Sequence, residues 1–430
     1  MPTENNFQHA TYSRSDPGDR VVYRDFVSGA QPDSLAWQDE MARLGSELSQ
    51  GGVRAVLFMQ GAGLGADLFG AQRLDEAGGL KRGYSRGIPG MEALLALLRQ
   101  DTNGLASLPD SPKPPLTDDD ATRNLLDKQV GDRGNFTNAY VELFRNAVNR
   151  NASRPIVCSR HLWSSEQHHL GRALAAWHLL ERLRTICAEQ KLGAGDRLLV
   201  QAHGHAGQVL ALVSNLLAPN PSSGREAYFQ ILKAYYEKTK AAPDALPRLL
   251  QIENAIQAGT ILNGAALDIV TFGTPIRYGW DAAGLGKLLH VVNHRMMRTD
   301  GKRWLAKMDL PQVTMEMPLV WGGDYVQQLA VAGSDAATPT SPEGKTANKA
   351  LWELLEPWDG FERWLECARK SVRCPADGQC LLVDYKDASS SDAGNPRDHL
   401  YGHAAYTRTN ALFFNTAELV LTLYAHCVAS

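Results

Sequence analysis

The sequence predicts an α/β protein in which a mostly parallel central sheet is flanked by helices. Three features carry that expectation. Apolar runs of strand length recur along the chain, longer amphipathic segments of helical period separate them, and two of the runs end in small-residue turns. The first buried strand is read at 53–59 (VRAVLFM), ending in the Gly-rich turn 61–65. A second follows at 155–159, and then a long helix over 165–190 with Leu170, Ala173, Leu174, Trp177, Leu180 and Leu183 on one face. The run 197–202 (RLLVQA) is the third buried strand, with a helix at 207–217 behind it. Later strands are read at 267–272 (LDIVTF), 328–332 (QLAVA) and 379–385 (QCLLVDY), and 20–26 is read as an edge hairpin.

Size and composition fit one α/β domain with insertions, spanning 20–430 after a polar tail at 1–19. Hydrophobic residues make up 44% of the chain and the net charge is -3, so no basic stripe exists to offset nucleic-acid phosphates. The tail lacks a charged segment followed by an apolar run, and no window of eighteen uninterrupted apolar residues appears. The expectation is a cytoplasmic protein without a transmembrane segment. Six cysteines are scattered through the chain; Cys374 and Cys380 could pair across 375–379, but free thiols are expected for so long a chain in reducing surroundings. No zinc-type spacing and no internal repeat is found.

Surface loops are read at 102–120, 336–349 and 387–396. Two helices within 226–257 follow the third strand's helix, and one carries Tyr228, Phe229, Ile231, Leu232, Tyr235 and Tyr236. Such a stripe is ordinarily core packing. Its position is nevertheless where a helical lid, about 218–260, would be inserted above a site.

The segment 197–212 (RLLVQAHGHAGQVLAL) reads as strand, sharp small-residue turn and helix. It resembles the nucleophile elbow of the α/β-hydrolase superfamily, with Ala202, Gly204, Ala206 and Gly207 in the small-x-Ser-x-small pattern and Gly204 where serine is usual. Elbow geometry projects the central residue into the cleft and aims the next amide, that of His205, at a developing oxyanion. The resemblance extends along most of the chain. Gln60-Gly61-Ala62-Gly63 is similar to the His-Gly oxyanion turn of lipases, with Gln60 in place of histidine and Gly61 or Ala62 as second donor. Residues 331–339 (VAGSDAATP) resemble the loop that presents the acid, here Asp335, with Asp300 the main rival and Asp324 behind it. Residues 398–407 (DHLYGHAAYT) place His403 like the catalytic histidine, with His399 its competitor. The stretches 270–275 (VTFGTP) and 163–167 (WSSEQ) are similar to segments of bacterial lipase-like members.

This resemblance implies a carboxylic-ester hydrolase, acting on lipid or aryl esters without a cofactor. Gly204 keeps the bend but supplies no hydroxyl, so an acyl-enzyme cannot form there. The glycine has three explanations: an engineered replacement of serine, a natural pseudoenzyme that binds ligand without turnover, or a slot for a water activated by a His403–Asp335 dyad, as in a lyase or water-activating enzyme. Substrate-binding candidates are Gln60, His203, Trp163, Tyr228 and Tyr235. The pair His168–His169 is read as surface or cap-facing.

Overall fold

A computed structural model describes residues 21–61, 119–166, 168–220, 223–239, 243–294, 323–328, 339–355, 375, 377–385 and 402–425. Seven strands are described: β1 (Val21–Asp25), β2 (Val53–Met59), β3 (Val157–His161), β4 (Arg197–His203), β5 (Ala266–Phe272), β6 (Lys287–Asn293) and β7 (Gln379–Asp384). They form one sheet in the order β1-β7-β6-β5-β4-β2-β3, with every neighbouring pair parallel.

The strands are apolar on both sides because both faces of the sheet are covered. Along β2, Ala55, Leu57 and Met59 join one core while Val56 and Phe58 join the other. Strand β4 alternates likewise, Leu198, Val200 and Ala202 against Leu199. The first face carries α4 (His169–Glu189), α5 (Ala206–Leu217), α6 (Ser223–Lys238), α7 (Ala245–Gln257) and α9 (Pro342–Leu355). The second carries α1 (Leu35–Gln50), α3 (Asn138–Val148) and α10 (Leu412–Leu423). A further helix, α2 (Asp120–Val130), precedes α3, and a short turn, α8 (Tyr325–Gln328), follows β6. Residues 206–216 of α5 are all buried, which explains a helix that is apolar nearly all round. Among the described residues no helix is long and apolar enough to cross a membrane.

Several expectations change. In place of the expected edge hairpin at 20–26, the described residues form one edge strand, β1, lying parallel to β7. Of the expected strand at 328–332 only Gln328 is described, and it closes α8; 329–332 lie outside the described residues. Among the described residues the strand that precedes β7 in the chain is β6, whose apolar run 288–292 was not among the expected strands. Strand β3 starts two residues later than expected, because Asn149 brackets Ile156, accepting its N–H at 2.7 Å and donating to its carbonyl at 2.9 Å. The aromatic stripe of α6 is core: Tyr228, Phe229 and Leu232 are buried, and the Tyr228 hydroxyl donates to the Ala173 carbonyl of α4 at 2.6 Å. Cys158 and Cys187 are free, whereas Cys380 is disulfide-bonded to a partner outside the described residues. The free-thiol expectation rested on chain length and compartment, and neither reports the local approach of two side chains.

At the amino end of the sheet, Arg197 forks onto Asp268 at 2.6 and 2.5 Å, and the Tyr424 hydroxyl donates to the same carboxylate at 2.6 Å. Asp268 has no exposed surface, so this clasp of β4, β5 and the end of α10 is also what keeps its charge satisfied. Asp268→Asn is expected to lower the unfolding free energy by about 3 kcal/mol, because it leaves Arg197 without its counter-charge. Urea denaturation measures this, and a loss below about 1 kcal/mol would mean that the pair behaves like a solvated surface pair.

Candidate functional site

The sheet order reverses beside β2. The chain leaves β2 for β3 on one side, then crosses back to place β4 on the other. The carboxyl ends of β2 and β4 therefore splay their following segments apart, which is where an open parallel sheet leaves a crevice. The turn at Gly61 and the bend at Gly204 both lie there.

Strand β4 ends at His203, and α5 begins at Ala206 after His205 in helical conformation. Gly204 takes φ +55, the left-handed region that costs an ordinary side chain. Its backbone is held on both sides: its N–H donates to the Phe272 carbonyl at 2.8 Å, and its carbonyl accepts from the Thr274 hydroxyl at 2.8 Å. The bend demands small residues nearby. A Cβ on Gly207 would lie 2.1 Å from Thr274 Oγ1, and one on Gly61 2.4 Å from the His203 carbonyl.

His403 reaches this bend from the segment after β7. A Cβ on Gly204 would lie 2.8 Å from His403 Nε2, so the imidazole faces residue 204 at close range. Its other nitrogen, Nδ1, is 2.7 Å from Asp324 Oδ2. Because a carboxylate only accepts, Nδ1 carries the proton and Nε2 presents a lone pair in the neutral ring. The His403 carbonyl accepts from His203 Nε2 at 2.7 Å, which fixes the backbone that carries the ring.

Asp324 is wholly buried. Its Oδ2 also accepts from the Tyr406 hydroxyl at 2.8 Å, and its Oδ1 from the Gln327 N–H at 2.8 Å. Asn293, the last residue of β6, organises the same corner: its carbonyl accepts from the Asp324 N–H at 2.9 Å, its N–H donates to the Tyr406 hydroxyl at 2.7 Å, and its side-chain amide donates to the Gly402 carbonyl at 2.9 Å. The carboxylate on His403 is thus Asp324, the candidate weighed last. Asp335, the favoured one, lies outside the described residues, as do Asp300 and His399. Tyr406 and Asn293 were not singled out from sequence. Tyr406 sits three residues after His403, and Asn293 is the one polar residue closing an apolar strand run, which is the signal each offered.

Of the two residues expected as a second oxyanion donor, one is described. The Gly61 N–H donates to the Gly134 carbonyl at 3.1 Å, so it is committed to holding the turn; Ala62 lies outside the described residues. The His205 amide opens the twelve-residue α5, where the helix dipole favours developing negative charge. Gln60 and Trp163 are joined to each other: Gln60 Nε2 donates to the Trp163 carbonyl at 3.0 Å and Trp163 Nε1 to the Gln60 carbonyl at 2.8 Å. The Trp163 ring meets His205 edge-on at 4.8 Å, which brings both residues to the elbow. Tyr228 is in the core, and Tyr235 is half-buried against Tyr236. The pair His168–His169 is not on the surface: both are buried, His168 capping α4 through its Nδ1 and His169 meeting the Tyr278 hydroxyl at 2.6 Å. Among the described residues no group of three or more His, Cys, Asp or Glu is arranged to hold a metal ion.

Burial, then the like charge of His403 and His205, holds the His203 imidazole well below its ordinary 6.5. The folded protein keeps His203 neutral while the unfolded chain protonates near 6.5, so its contribution is intact above that pH and is lost as pH falls below it. Stability should therefore decline from about pH 6.5 downward by up to about 1.4 kcal/mol per pH unit from this group, and His203→Gln should flatten that limb of the urea-midpoint profile. An unchanged slope in the variant would assign the acid sensitivity elsewhere. Gly204→Ser should cost about 1–3 kcal/mol of stability, because serine must adopt the left-handed backbone and press His403 back. A denaturation midpoint equal to that of the unsubstituted chain would contradict this.

No protein-family model, curated protein or solved structure matches this chain.

Proposed function

We propose that this chain is an ester hydrolase of the α/β-hydrolase type in a form that lacks the nucleophilic serine. Its substrate class is a lipid or aryl carboxylic ester. The observation that carries the reading is the relay Asp324–His403 ending 2.8 Å from the Cβ position of residue 204. Chain order supports it: elbow, acid and histidine follow β4, β6 and β7 in turn, as in that superfamily. The parent chemistry is an attack by a nucleophile on residue 204, with His403 taking and returning the proton and Asp324 stabilising the imidazolium. The α5 N-terminus, through the His205 amide, stabilises the oxyanion. With glycine at 204 that route is closed, and the reading calls for no cofactor. The disulfide at Cys380 supports an oxidising compartment over the reducing cytosol.

Gly204→Ser should raise the hydrolysis of p-nitrophenyl esters by about three orders of magnitude or more, since removing a triad nucleophile costs about six. In that background Asp324→Asn should lower kcat by about 10⁴-fold, while Asp335→Asn leaves it unchanged. A folded Gly204→Ser protein with no gain on any chain length would sink the hydrolase reading. It would favour the second one, ligand binding without turnover, to which the missing hydroxyl itself points.

A further inference from the structure

We propose that in the protein as it stands the His403 imidazole is itself the acyl acceptor, with Nε2 as nucleophile. This rests on the ester-hydrolase reading and narrows its substrate to acyl groups on good leaving groups, such as aryl esters and thioesters. Three observations converge on it. Nε2 lies 2.8 Å from the Cβ position of Gly204, hence within the space that a nucleophilic side chain on residue 204 would fill. Nδ1–H is spent on Asp324 at 2.7 Å, so Nε2 holds the lone pair. The ring is also pre-positioned. Its backbone carbonyl is held by His203 at 2.7 Å, and its carboxylate partner is held by Tyr406 and Gln327, each at 2.8 Å. A buried, oriented imidazole beside a helix N-terminus has what the absent serine would have needed a base to acquire.

The step balances without a co-reactant other than water. The Nε2 lone pair attacks the acyl carbon, the C–N bond forms, and the carbonyl π pair moves to oxygen beside the start of α5. Collapse re-forms the carbonyl and breaks the bond to the leaving group, which departs as phenolate or thiolate with its electron pair. The acyl-imidazolium keeps Nδ1–H on Asp324. Water then adds to the acyl carbon, the C–N bond breaks, and Nε2 recovers its lone pair as the carboxylic acid leaves; water's second proton passes to solvent, balancing the phenolate or thiolate released earlier. Imidazole is a much better leaving group than an alkoxide, so the intermediate from an alkyl ester reverts to substrate. Aryl esters and thioesters go forward.

The test gives the unmodified full chain p-nitrophenyl acetate and, separately, ethyl acetate. The expected result is saturable p-nitrophenol release, about tenfold or more above His403→Ala, with no ethyl acetate turnover. Rapid acid quench and peptide mass mapping should locate the acetyl group on His403, and hydroxylamine should divert it to acetohydroxamate. The mapping uses the unsubstituted protein, so it holds even if His403→Ala folds poorly. His403-dependent release with no adduct and a large solvent deuterium isotope effect would make His403 a general base on water and overturn the proposal. Absence of His403-dependent release would also overturn it; Gly204→Ser then decides the underlying reading, which survives if that variant is active and falls if it is not.

Discussion

A carboxylate with no exposed surface stays ionised only where donors surround it, and Asp324 is such a group. The donors it gathers are the Gln327 N–H, the Tyr406 hydroxyl and His403 Nδ1–H, drawn from the segment after β6 and from the segment after β7. Two parts of the chain that share no helix or strand are thereby fixed to one another at the carboxyl edge of the sheet. The backbone must yield space for this. Gly273 sits at φ +61, and a Cβ there would lie 2.5 Å from Asp324 Oδ2. Satisfying one buried charge therefore dictates where His403 can be.

The glycine at 204 separates two properties that a serine would combine. The bend itself is a backbone property, secured by the hydrogen bonds to Phe272 and Thr274, and glycine adopts it without strain. Nucleophilicity is a side-chain property, and glycine has none to give. The imidazole stands 2.8 Å from where a Cβ on residue 204 would lie, and its anchors are Asp324 and His203 rather than residue 204. Such an arrangement holds the His403 ring independently of the side chain at 204.

The strands at the centre of the sheet were legible because burial on both faces writes a continuous apolar run, as in 53–59 and 197–202, and nothing about tertiary context is needed to read it. The bend at 204 was legible for a related reason: close packing against Thr274 and His203 leaves room only for small residues. The carboxylate partner of His403 was not. Asp300, Asp324 and Asp335 were the candidates weighed, and spacing alone ranks them poorly because Asp324 is fixed in place by a hydrogen-bond network from Asn293, Tyr406 and Gln327. Strand β6 was missed as a strand for want of a turn signal at its end; it closes on Asn293, whose polar groups serve the site. The Gly61 amide was assigned to the oxyanion from sequence position, but a distant carbonyl, that of Gly134, claims it.

Three imidazoles crowd the elbow, and they cannot all be charged. The His203 and His403 rings are 4.3 Å apart, and His205 lies one residue beyond the bend. Like charges so near, in a site of low effective dielectric, repel by several kcal/mol, so a proton taken up by one must be withheld from its neighbour. The Asp324 carboxylate stands against His403 and can receive that charge. His203 faces a carbonyl, which needs nothing more than a neutral N–H donor, and its burial enforces that state. Burial thus keeps His203 a neutral donor to the His403 carbonyl, while the Asp324 carboxylate orients the His403 ring through Nδ1. Removing Asp324 would therefore release the His403 ring but leave the His203 hold on the His403 backbone in place.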